Sequence, residues 1–111
     1  MSLPLEATPL EVKGRLDAGD AVVLIDVREP DEFALARIAD AELIPMRTVP
    51  GQLQHLEAVA DGATLIVLCH HGMRSLQVTE WLRQQGIDGC QSMAGGIDLW
   101  SATVDSSVPR Y

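Results

Sequence analysis

Ala21–Val27 (Ala-Val-Val-Leu-Ile-Asp-Val) and Thr64–Leu68 (Thr-Leu-Ile-Val-Leu) are apolar runs that do not alternate, and they restrict the possible folds more than any other feature. A strand with one wet face alternates in polarity. A continuous run predicts a strand covered on both faces, as in a parallel sheet between helices. The stretches around these runs carry helix punctuation. Thr8-Pro9-Leu10-Glu11 offers an N-cap, a proline suited to the first helical position and the acid of a capping box. Leu10, Val12 and Leu16 give that helix apolar surface, and Gly19 stops it. Pro30–Phe33 opens a short helix with acids in its first turn. Thr48–Val59 predicts a helix with Leu53, Leu56 and Val59 on one face, and Arg74–Gln85 predicts another, closed by Gly86. Short strands fall at Glu42–Ile44, ended by Pro45, and within Ile87–Met93. Gly95-Gly96 turns the chain into a last short helix through Trp100.

Strands alternating with helices predict an α/β fold, a central parallel sheet flanked by helices on both faces. At 111 residues, with no repeat and only short connections, a single domain over 1–111 is expected, with its core at about 8–103 and an extended tail at 104–111. A hydrophobic content of 47% supports a folded globule. A net charge of −8 argues against general binding to nucleic acid or to anionic membrane. No apolar run reaches membrane-spanning length. The start, Met1-Ser2-Leu3-Pro4-Leu5-Glu6, lacks the basic and apolar regions of an export signal, so a cytoplasmic location is expected. Cys69 and Cys90 do not make a disulfide framework, and in a reducing compartment a catalytic or redox thiol is the better reading.

Cys69 follows the second apolar run and opens the loop Cys69-His70-His71-Gly72-Met73-Arg74-Ser75, which feeds a helix. The carboxyl end of a parallel strand is where α/β sheets place ligands. Amides at a helix start hold anions and favour a thiolate. Successive N–H groups of the loop can form a nest, Gly72 supplies backbone freedom, and Arg74 adds a cation with planar donors. Ser75 either donates its hydroxyl to the sulfur or caps the helix. The implied chemistry is attack by a Cys69 thiolate on a soft, anionic electrophile. Adjacent histidines do not have metal-ligand spacing, so His70 and His71 are read as shaping the loop mouth, with a general-base role as the competitor and no metal expected. His55 reads as surface. Cys90 reads as core, with nothing around it to supply positive charge. Asp26 interrupts an apolar strand and needs a partner, for which Arg28 is the candidate.

These stretches together resemble the rhodanese-like domain family. Leu24–Glu29 is similar to its first signature, Ile38–Ala41 with Ile44-Pro45 to its second, Cys69–Ser75 to its active loop and Met93–Trp100 to its C-terminal signature. The tail Val108–Tyr111 also resembles that of small bacterial members. The second signature departs from the family, with Arg37 where a histidine is usual and Ala39-Asp40 where Pro-Gly is usual. The resemblance implies about five parallel strands and sulfur transfer without a cofactor. Cys69 would take the outer sulfur of thiosulfate or another persulfide and hold it as a persulfide in the loop amides. It would then pass the sulfur to cyanide, a thiol or a protein acceptor, with the protein a monomer. Cysteine phosphatases, a related group, place five residues between cysteine and arginine, and this chain has four. The shorter loop suits sulfur better than a phosphoryl group. The competing reading is a protein-interaction or sulfur-carrier module without turnover of its own.

Overall fold

The computed structural model describes residues 3–111, so the first two residues of the N-terminal stretch read above lie outside it. In chain order the elements are β1 (Glu6–Ala7), α1 (Pro9–Asp17), β2 (Val22–Asp26), α2 (Pro30–Leu35), β3 (Glu42–Leu43), a 3₁₀ helix (Met46–Gln52), α3 (Leu53–Ala60), β4 (Thr64–Leu68), α4 (Met73–Gln84), β5 (Cys90–Met93) and α5 (Gly96–Thr103). The strands form one five-stranded sheet in the order β1-β5-β4-β2-β3, parallel throughout. The apolar runs are its central neighbours, with Val22 opposite Thr64 and Asp26 opposite Leu68.

Their lack of alternation follows from burial on both sides. Leu65 and Val67 of β4 face a core built with Ile25, Leu56, Val78 and Leu82. Ile66 and Leu68 face the other core, with Leu24, Val12, Ile97 and Trp100. One layer is therefore α3 and α4, and the other is α1 and α5. Cys69 continues the alternation of β4 onto the first of these faces, which points it at the start of α4.

Several local readings need correction. The helix expected over Thr48–Val59 is split. Pro50 has no N–H to donate, and the chain runs as a 3₁₀ helix to Gln52 before α3 begins. Leu10 does not help bury α1. It is exposed because it sits two residues, some 200° of helix, from Val12. β1 had no signal of its own, since two residues carry no periodicity, yet Ala7 belongs to the core. The segment 104–111 is not simply extended. Asp105 accepts from Ser107 at a turn, Val108 is buried, and the chain returns over the carboxyl end of the sheet. Asp40 has φ +68°, the left-handed conformation that the Gly of the usual Pro-Gly would adopt at no cost.

Candidate active site

The Cys69 loop is set by its neighbours as much as by its own residues. Gly72 has φ +103° and begins α4, so the amides of Met73 and Arg74 have no intrahelical acceptor. The carbonyls of Cys69 and His70 accept from the amides of Ile97 and Asp98 at 2.9 and 3.1 Å, which pins the loop to the first turn of α5. A β-carbon at Gly96 would overlap both carbonyl oxygens and lie 2.6 Å from the His70 carbonyl carbon. Only glycine allows this approach.

Sγ of Cys69, whose residue is 1% exposed, accepts from the Gly72 amide at 3.1 Å and the Ser75 amide at 3.4 Å. The thiol lies 3.4 Å from Ser75 Oγ, which in turn sits 2.8 Å from Ser92 Oγ. Ser75 does not cap the helix, whose N-cap is Gly72; its amide and its hydroxyl both meet the sulfur. Ser92 was not anticipated. It is a polar side chain fully buried at the end of β5, and that mismatch was the available signal.

The rest of the loop is placed differently. His71 and Met73 are exposed. The His70 ring stacks between His71 and Tyr111, each with ring centres 3.9 Å away. The histidines thus stack and do not converge on a point, and the described residues contain no metal-binding cluster of His, Cys, Asp or Glu. His71 Nδ1 is 3.9 Å from Asp98, which also pairs with Arg110. The charge of Arg74 reaches Cys69 through space and not through a hydrogen bond. Its guanidinium is held by Glu32 of α2 at 2.7 and 2.9 Å, and no nitrogen of it bonds the sulfur. A side chain on the first turn of α4 projects outward, and an opposite charge on α2 captures it.

Asp26 and Arg28 pair as expected, both fully buried, at 2.6 Å. Every donor of Arg28 is used: Nε and Nη2 on Asp26, Nη2 also on the Ala36 carbonyl, and Nη1 on the Glu32 carbonyl and the Tyr111 hydroxyl. Arg28 thereby ties the end of β2 to α2 and to the returning tail. Tyr111 donates to Glu32 at 2.8 Å, and burial pushes its phenol up to about 12. Sequence reading treated Glu32 as a first-turn acid and Tyr111 as tail, and their meeting across 79 residues had no local signal.

His55 stays on the surface and pairs with Glu42 at 2.9 Å. Cys90 is core, and burial raises its thiol pKa, but positive charge is present after all. The packing of α4 on β5 brings Arg83 onto the Cys90 carbonyl at 2.8 and 3.0 Å.

The bidentate bond from Arg74 holds the Glu32 carboxyl at about 2, against an ordinary 4.5. Its stabilising effect is therefore complete above about pH 4.5 and is lost as the pH falls toward 2. A shift of that size corresponds at most to about 3 kcal/mol, and solvent around the partly exposed Arg74 reduces it to about 1 kcal/mol. Denaturant unfolding at near-neutral pH should show Glu32→Gln less stable than wild type by that amount. The gap should close near pH 2, and a gap independent of pH would refute the assignment.

The same fold recurs in known proteins. A model of the rhodanese-like domain matches residues 8–103. The chain is 32% identical over 105 residues to the adenylyltransferase and sulfurtransferase MOCS3-1 of Zea mays, over 91% of this chain and 22% of that one. It is 32% identical over 91 residues to the thiosulfate sulfurtransferase GlpE of Ectopseudomonas mendocina, over 82% of this chain and 81% of that one. The crystal structure of SSP1007 from Staphylococcus saprophyticus matches with a TM-score of 0.80 at 30% identity, over 96% of this chain and 100% of that one. The chain spans between 22% and 31% of the length of the first curated relatives it matches. The family match runs through the elements from α1 to α5 and not only through the cysteine loop, and the chain therefore belongs to the rhodanese-like domain family.

Proposed function

We propose that this chain acts as a sulfurtransferase in which Cys69 carries a sulfane sulfur as a persulfide. The observation that supports this most directly is the convergence of the Gly72 and Ser75 amides on Sγ, at 3.1 and 3.4 Å. Donors fixed on a sulfur stabilise negative charge there without reorganising during reaction. In the first half-reaction the Cys69 thiolate attacks the outer sulfur of a donor such as thiosulfate. The new S–S bond forms as the donor's S–S bond breaks, and sulfite leaves with the electron pair. In the second, cyanide or an acceptor thiolate attacks the outer sulfur, leaves as thiocyanate or a new persulfide, and returns Cys69 as the thiolate. The amides of Met73 and Arg74, without helical partners, are the candidate donors to the outer sulfur. Two sulfurtransferases among the relatives, one of them named for thiosulfate, support the class of reaction.

The test is intact-mass spectrometry after prolonged incubation with thiosulfate, with Cys69→Ser alongside. A gain of one sulfur atom on wild type alone, reversed by cyanide, is expected. Loading of Cys69→Ser would move the reaction to Cys90. No loading from thiosulfate or from a small persulfide would leave the chain as a docking module of this fold.

A further inference from the structure

Three arginines border the Cys69 loop, and each is already engaged by a carboxylate: Arg28 by Asp26, Arg74 by Glu32 and Arg110 by Asp98. The sulfur itself is met by backbone amides and the Ser75 hydroxyl, with no cation bonded to it. A donor approaching this mouth therefore finds dipoles, and these three guanidiniums are already paired.

The Glu32–Arg74 pair is not symmetric. Glu32 is held from two further sides, by the Tyr111 hydroxyl at 2.8 Å and the Glu29 amide at 3.1 Å. Its side chain is 18% exposed, against 36% for Arg74. The carboxylate is thus the fixed member and the guanidinium the movable one. Arg74 precedes Ser75, whose amide reaches the sulfur, and its charge acts on Cys69 through space. Tyr111 stays protonated through the neutral range, because burial raises its pKa, and it keeps donating to Glu32.

We infer that Glu32 is a positioning residue that selects the sulfur donor by charge, neutralising Arg74 beside the Cys69 loop so that singly charged persulfides are favoured over dianions such as thiosulfate. This rests on the reading of Cys69 as the sulfur acceptor. Replacing Glu32 by glutamine removes a negative charge at the mouth and frees a positive one, and both changes favour an anionic reagent.

The experiment measures alkylation of Cys69 by iodoacetate, an anion, and by iodoacetamide, its neutral counterpart, at low ionic strength. The iodoacetate-to-iodoacetamide rate ratio should rise about tenfold in Glu32→Gln, and the rise should shrink in about 1 M salt. Tyr111→Phe, which removes one of the bonds that fix Glu32, should move the ratio in the same direction by less. Glu32→Gln combined with Arg74→Gln should lose most of the gain. Sulfur loading is then followed by mass with thiosulfate and with the persulfide of 2-mercaptoethanol. Glu32→Gln should speed thiosulfate about tenfold relative to the persulfide, which carries one negative charge fewer. An unchanged alkylation ratio overturns the inference whether or not sulfur loads. A raised ratio with no loading from either donor overturns the sulfur-acceptor reading, and the donor selection with it.

Discussion

Asp26→Asn is expected to lower the unfolding free energy by about 3–5 kcal/mol. The carboxylate and the Arg28 guanidinium are both 0% exposed and 2.6 Å apart, so neither charge has water to fall back on. Asparagine keeps the shape but removes the only counter-charge that Arg28 contacts. The remaining acceptors of Arg28 are neutral: the carbonyls of Glu32 and Ala36 and the hydroxyl of Tyr111. They satisfy its protons but do not balance its charge. The double replacement Asp26→Leu with Arg28→Met should cost less than Asp26→Asn alone, because it removes both charges together. Equilibrium denaturation of both variants decides the matter. A single variant no less stable than the double one would mean that the buried pair does not anchor the end of β2.

The same pair explains what was legible in the sequence and what was not. Asp26 within an apolar run demanded a partner, and Arg28 lies close enough in sequence for the pairing to be read directly. The capping box of α1, the double-sided burial of β2 and β4, and the Cys69 loop are likewise local patterns: caps, periods and spacings within a few residues. What escaped notice depends on contacts across the chain. Tyr111 meets Arg28 across 83 residues, Glu32 meets Arg74 across 42, and Ser92 meets Ser75 across 17. Neither Tyr111 nor Glu32 breaks a local rule where it stands, so no sequence pattern marks either as part of the site. The pairing of Arg74 escapes a sequence reading for a related reason. Its position in the loop is a property of sequence, but the direction of its guanidinium is decided by a carboxylate on another helix.

Gly96→Ala is expected to damage both stability and sulfur loading, and Gly19→Ala serves as its internal control. Both glycines have positive φ, +79° at Gly19 and +61° at Gly96, so each substitution carries a similar backbone cost of about 1 kcal/mol. They differ in what the new methyl group meets. At Gly19 it meets nothing within 4 Å. At Gly96 it meets the backbone of Cys69 and His70, held there by the amides of Ile97 and Asp98. Backbone cannot yield without breaking those two bonds and displacing the loop that carries the nucleophile. The extra cost should be about 2–3 kcal/mol, the range of overpacking in a tight site. A displacement near 1 Å should slow persulfide formation by about 10² where the protein remains folded. Urea unfolding of the two variants, with loading rates by mass spectrometry in the folded range, separates the effects. Equal losses at Gly19 and Gly96 would show that positive φ alone matters. A greater loss at Gly96, in stability and rate together, would show that the Met93–Trp100 stretch works by closing α5 against the backbone of the cysteine loop.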